Sequence, residues 1–93
     1  MPPVNLTDAL ALSDDVVARE VGGETMLLDL ASGTYFGLDP VGGRLWAVLE
    51  QGGTVAQACE QIAADYDVSR DQLEADMLAL VGQLVERRLL VPG

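Results

Sequence analysis

The dipeptide Asp39-Pro40 divides the chain into two halves that follow different hydrophobic periods. Before it, apolar residues alternate, as they do along a strand. After it, they recur every three or four residues, as on one stripe of a helix. Asp39 is a good N-cap, because its carboxylate can accept from a free helix N–H. Pro40 suits the first helical position, where no N–H is needed.

On the N-terminal side, Val16 to Val21 reads as a strand. Gly22-Gly23-Glu24 supplies the positive φ angles of a tight hairpin. Thr25 to Leu30 is a second strand, with Met26, Leu28 and Leu30 on one face and Asp29 on the other. Ala31 to Thr34 is a turn. Tyr35 to Leu38 is a short third strand, with Phe36 and Leu38 on one face. Two tight turns between three strands predict an antiparallel meander. The residues 1–13 carry two prolines and only a mild apolar stretch, Ala9 to Leu12, and are expected to be a tail or a short extended arm.

On the C-terminal side, Val41, Leu45, Val48 and Leu49 share a stripe with Trp46 beside it, and Gly52-Gly53 stops the helix. Thr54-Val55-Ala56-Gln57 matches a capping box. Val55, Ala58, Cys59, Ile62, Ala63 and Tyr66 continue at helical spacing until a break at Asp65 to Val68. Ser69 to Gln72 is a second capping-box match, opening a helix through Leu73, Met77, Leu80 and Leu84. Arg87 and Arg88 are expected in its last turn, where cations suit the helix dipole. Leu89-Leu90-Val91 is expected to pack back on the core. The order βββααα predicts an α+β domain over residues 14–93: a three-stranded antiparallel β-meander followed by three helices, similar to a winged helix-turn-helix with its sheet first. At 93 residues only one domain fits.

Composition removes several kinds of function. Fifteen acidic residues face five Arg and no Lys, for a net charge of −10. Binding to nucleic acid relies on cations that neutralise phosphates, so this chain repels nucleic acid and anionic membranes alike. There is no histidine, the commonest general base. A lone Cys59 without histidine makes no disulfide and no transition-metal site, and reads as a small buried core residue. No phosphate loop, dinucleotide fingerprint or calcium loop occurs. Gly42-Gly43 follows a helix start and signals close packing, not a ligand loop. Asp14-Asp15 and the group Asp65, Asp67, Asp71 sit near turns and helix starts, where carboxylates cap and solvate. A carrier protein would need an Asp-Ser-Leu attachment site, which is absent. No enzyme activity, cofactor or metal is expected. With no secretion signal and no apolar run of about 20 residues, the expected location is the cytoplasm.

What remains is binding. The apolar positions of the last helix, from Leu73 through Met77, Leu80, Val81, Leu84 and Val85 to Leu78, span roughly 160°, wider than the ~100° stripe of a surface helix. Either the helix is wedged into the core on both flanks, or one flank lines a groove; Met77 would suit a groove. If the meander runs in order, Tyr35 to Leu38 forms an edge that neither Lys nor Pro protects. An extended peptide can add to such an edge as a further strand.

The run from Leu27 to Asp39, LLDLASGTYFGLD, resembles the hairpin of the PqqD-like family. Gly42, Leu45-Trp46 and Leu49 follow at that family's helix spacing. Then come Gly53-Thr54-Val55, Ile62-Ala63, Tyr66-Asp67-Val68 and Asp76-Met77 through Leu84 to Leu89-Leu90. The resemblance spans residues 14 to 91. It implies a recognition element for ribosomally made, post-translationally modified peptides. Such an element captures the leader segment of a precursor and presents the core segment to a separate enzyme. It also implies a site: Gly33, Thr34, Tyr35, Phe36, Gly37 and Leu38 on the strand, and Leu73, Asp76, Met77 and Leu80 on the helix. The hairpin is most similar to the stand-alone members found with lasso peptides, whose partner is a separate leader peptidase. The pyrroloquinoline quinone branch, which serves a radical SAM enzyme, fits the hairpin less well. The expected partners are thus a precursor leader and a maturation enzyme, with no nucleic acid and no membrane. The chain itself is expected as a monomer or weak dimer. Two other readings stand beside this one. A winged-helix regulator is disfavoured by Asp71, Glu74, Asp76 and Glu86 on the last helix. A scaffold subunit would bind the enzyme but not the free leader.

Overall fold

The computed structural model describes residues 10–92. Its elements run β1 (Leu10–Leu12), β2 (Val16–Val21), β3 (Glu24–Asp29), β4 (Thr34–Leu38), α1 (Pro40–Glu50), α2 (Val55–Asp65), α3 (Arg70–Glu86) and β5 (Leu90–Pro92). The architecture is α+β: an antiparallel sheet in the order β2-β3-β4, three helices, and a small second sheet pairing β1 with β5.

The β2–β3 turn is Gly22-Gly23 with φ of 60° and 86°, and Val21 faces Glu24 across it. Positive φ at both central residues is the mark of the hairpin turn whose twist matches its strands. The β3–β4 turn is held from within. Asp29 accepts from Ala31 N–H at 3.1 Å and from the Ser32 hydroxyl at 2.8 Å, and Gly33 N–H donates to the Asp29 carbonyl at 2.7 Å.

Asp39 caps α1, its Oδ1 accepting from Gly42 N–H at 2.7 Å. Thr54 and Gln57 complete a reciprocal capping box on α2, at 3.2 and 2.9 Å. The box expected at Ser69 is half built. Ser69 Oγ accepts from Gln72 N–H, but the Gln72 amide donates one turn onward to Asp76 at 2.9 Å. That bond to an ionised acceptor orients the Gln72 side chain along the helix, away from the Ser69 N–H.

Three expectations need correction. The arm is a strand at its inner end: Leu10–Leu12 pairs antiparallel with Leu90–Pro92, and residues 1–9 of the expected tail lie outside the described residues. Arg87 and Arg88 fall just past α3, as its C-cap and the residue after it. Finally, the sheet buries the face opposite to its apolar row. Leu27 is fully buried, whereas Met26 and Leu28 are only half-buried on the outer face and Leu30 is exposed. One buried leucine with Phe36 and Leu38 suffices inside, because the helices fill the rest.

That filling comes mainly from Leu45, Trp46, Leu49, Val55, Ile62, Val81, Leu84 and Leu90, all essentially inaccessible. Helix α1 sits at the centre, touching β1, β3, β4, α2 and α3. Its close approach explains the glycine pair. A Cβ on Gly43 would lie 2.6 Å from Thr25 Oγ1, and one on Gly42 would lie 3.2 Å from Leu80 Cδ2. Cys59 is buried on α2, and burial pushes its thiol up from the ordinary range.

Candidate peptide groove

Which backbone groups of β4 are free follows from the hairpin. A two-residue hairpin is closed by a pair that exchanges both hydrogen bonds, and such pairs recur at every second residue. Val21 and Glu24 are that pair, so Glu24, Met26 and Leu28 bond to β2. The Leu30 N–H donating to the Asp15 carbonyl at 2.7 Å extends the same ladder and fixes the same parity. Residues Thr25, Leu27 and Asp29 therefore bond to β4, through Leu38, Phe36 and Thr34. The N–H and C=O groups of Tyr35 and Gly37 point the other way, to the edge that no strand among the described residues covers.

Alongside the Leu38 end of β4 lies a groove of about 450 Å³. Leu38, Leu73, Asp76, Met77 and Leu80, five of the site residues named from the sequence, converge on it. Leu38, Leu73 and Met77 are nearly buried and form the floor, while Leu80 is half-buried. The wide stripe of α3 thus divides. Val81, Leu84 and Val85 enter the core, and Leu73, Met77 and Leu80 turn a flank toward the groove.

Thr34, Tyr35 and Phe36 line a second cavity at the opposite end of β4, beside the C-terminal end of α3. Gly33 and Gly37 line neither. Gly33 holds the turn at φ 74°, and Gly37 contributes only its outward backbone. Sequence reasoning missed Val41 from α1, and Tyr66 and Val68 from the segment after α2, all of which line the groove. Their signal was available: Tyr66 and Val68 are apolar residues placed in a connection, where polar ones are the rule.

The groove walls are apolar and its charged lining is acidic. Among the described residues, Asp39 and Asp76 are its charged lining, with no cation beside them. Both carboxylates already accept hydrogen bonds, from Gly42 N–H and from Gln72 Nε2. Among the described residues no group of three His, Cys, Asp or Glu could hold a metal ion. No helix among them is long and apolar enough to cross a membrane. The arrangement offers a strand edge flanked by an apolar trough.

Known proteins share this fold. The chain matches the solved structure of TbiB1 in complex with the TbiA(beta) leader peptide at 40% identity. The TM-score is 0.80, over 86% of this chain and 93% of that one. It also matches a lasso peptide synthetase B1 complexed with the leader peptide at 26% identity. There the TM-score is 0.82, over 90% of this chain and 99% of that one. No curated protein matches. The family model described as coenzyme PQQ synthesis protein D matches residues 24–90, from the second strand of the meander to the start of β5. The chain belongs to the PqqD family.

Proposed function

We propose that this domain is a non-catalytic recognition element that captures the leader segment of a lasso-peptide precursor. The leader adds as an extended strand along β4, pairing with the outward groups of Tyr35 and Gly37. Its apolar side chains drop into the trough formed by Leu38, Leu73, Met77 and Leu80. The tethered core segment is then delivered to a separate leader peptidase.

The observation that carries this reading is the continuity of a strand edge, uncovered among the described residues, with an apolar groove against α3. The edge supplies affinity through the backbone, and the pocket supplies selectivity. The two solved relatives, each holding a leader peptide, support the same assignment. The family description favours a second reading, in which the domain serves coenzyme PQQ synthesis. The solved lasso peptide synthetase B1 complex favours the lasso branch instead. A DNA-reading role is opposed by the exposed Asp71 and Asp76 on α3.

The test is an amide-resolved NMR titration with two synthetic peptides: the leader of the precursor encoded beside this domain, and the TbiA(beta) leader. Shifts concentrated at Thr34 to Leu38 and Leu73 to Leu80 are expected. No shift with either peptide at hundreds of micromolar would refute leader capture and leave the scaffold role in first place.

A further inference from the structure

Helix α3 ends in a turn that normally requires glycine. Arg88 N–H donates to the Val85 carbonyl at 3.0 Å, and Leu89 N–H to the Leu84 carbonyl at 2.9 Å. These are the two bonds of a Schellman motif, whose C′ residue adopts the left-handed conformation. Arg88 occupies that position with φ of 60°, the one non-glycine residue at positive φ among the described residues. Glycine fills the other four such positions, at 22, 23, 33 and 52. An arginine here is held against its backbone preference, and backbone strain of this kind collects at functional positions.

Its neighbour Arg87 is also placed with purpose. The Arg87 guanidinium lies 5.0 Å from the centroid of the Phe36 ring, on β4. The two ion pairs among the described residues use Arg44 and Arg70, so neither Arg87 nor Arg88 is paired there. Both line the cavity at the Thr34 end of β4, together with Tyr35 and Phe36. Three acids line it too. Asp29 has its oxygens engaged by its own turn, Asp15 and Glu86 are exposed, and all three carry negative charge, so among the described residues the arginines are the only cations there to attract an anion. The opposite end of β4 has only Asp39 and Asp76 as charged lining. In a chain of net charge −10, two of the five cations are thus gathered at one end of the candidate strand site.

We propose that Arg87 and Arg88 read a carboxylate side chain of the bound peptide, and so fix the orientation in which it lies along β4. The inference rests on the leader-capture reading and adds a position to it. The span from Leu38 to Thr34 is four residues, ~13 Å along a strand. The carboxylate therefore stands about four residues from the apolar side chain that fills the Leu38–Leu80 pocket. A peptide lying the other way would bring that carboxylate to Asp39 and Asp76, where no lining arginine offsets the acids.

The experiment uses whichever of the two leaders binds more tightly, labelled with a fluorophore, in polarisation titrations. Each residue in turn is changed to Glu or, where already acidic, to its amide. The set is read against the wild-type domain, Arg87→Gln and Arg88→Gly. One position is expected to change affinity by roughly two- to fivefold, as a solvent-exposed ion pair would. That effect shrinks with salt and disappears on Arg87→Gln or Arg88→Gly, a coupling that a merely structural residue does not produce. Arg88→Gly is expected to melt at an equal or higher temperature, because glycine accepts the left-handed turn. Two outcomes overturn the proposal while leaving leader capture intact: no acidic position matters, or its effect is the same on the arginine variants. If neither leader binds the wild-type domain, capture and carboxylate reading fail together.

Discussion

Replacing Gly37 by proline tests the ladder parity of β4 and the function together. The Gly37 N–H faces the uncovered edge, so its loss leaves the bonds from Phe36 and Leu38 to β3 in place. A side chain is tolerated there, since a Cβ on Gly37 would meet only Met26 Sδ, at an ordinary 3.5 Å. The fold is therefore expected to survive, with a modest cost from fixing φ near −65°. A bound strand loses one backbone hydrogen bond, about 1 kcal/mol, or roughly fivefold in Kd. The ring also projects into the space the incoming strand occupies, so about fivefold is the floor. Phe36→Pro is the matched opposite. Its N–H belongs to the ladder with β3, and the variant is expected to lose stability whether or not a peptide is present. Gly37→Ala controls for the added carbon. Polarisation titration gives Kd, and thermal melting by circular dichroism gives stability. A folded Gly37→Pro domain that binds leader as tightly as the parent refutes strand addition at this edge. A Gly37→Pro domain that unfolds while Phe36→Pro stays folded refutes the parity.

The inverted sheet face predicts that Leu27→Ala destabilises by about 2–5 kcal/mol, as full burial requires, whereas Leu28→Ala costs about 1 kcal/mol or less; denaturant melts that rank them the other way would reject the register. Burial raises the Cys59 pKa, so the folded state keeps its proton after the unfolded chain has lost it. Stability should therefore fall as pH rises above about 8.5, the ordinary thiol value. Cys59→Ala should flatten that slope in melting curves between neutral and alkaline pH, and an unchanged slope would count against it.

The parts of the fold legible in the sequence were those with a local cause. Asp39, Thr54 and the Gly22-Gly23 pair act on neighbours within four residues, and each stands where its residue type predicts. Legibility failed where the cause was distant. Three residues of β1 carry too little pattern to announce a strand, and their partner lies eighty residues away in β5. The alternation of Met26, Leu28 and Leu30 was real, but alternation says only that one row is apolar. Which row is buried depends on where the helices sit, and α1 packs against the side of Leu27. The candidate site divides in the same way. Leu73, Met77 and Leu80 were visible as a flank of one helix, whereas Val41, Tyr66 and Val68 join them only through the packing of α1 and α2.

The same geometry sets how a leader must earn its affinity. Tyr35 and Gly37 offer one outward N–H and one outward C=O each, so four ladder bonds are the most this edge can make. At about 1 kcal/mol apiece they supply about half of the roughly 8 kcal/mol that a micromolar complex needs. Ordering a flexible peptide costs more still. The remainder falls to apolar side chains, each worth about 1.5–3 kcal/mol when fully buried. Two such anchors are the minimum, and the trough beside Leu38 is large enough to take them. Truncating either anchor to alanine should therefore weaken binding by roughly ten- to a hundredfold, more than any single backbone bond. An alanine scan in which no leader side chain costs more than the Gly37→Pro substitution would mean that the trough is not where the peptide lies.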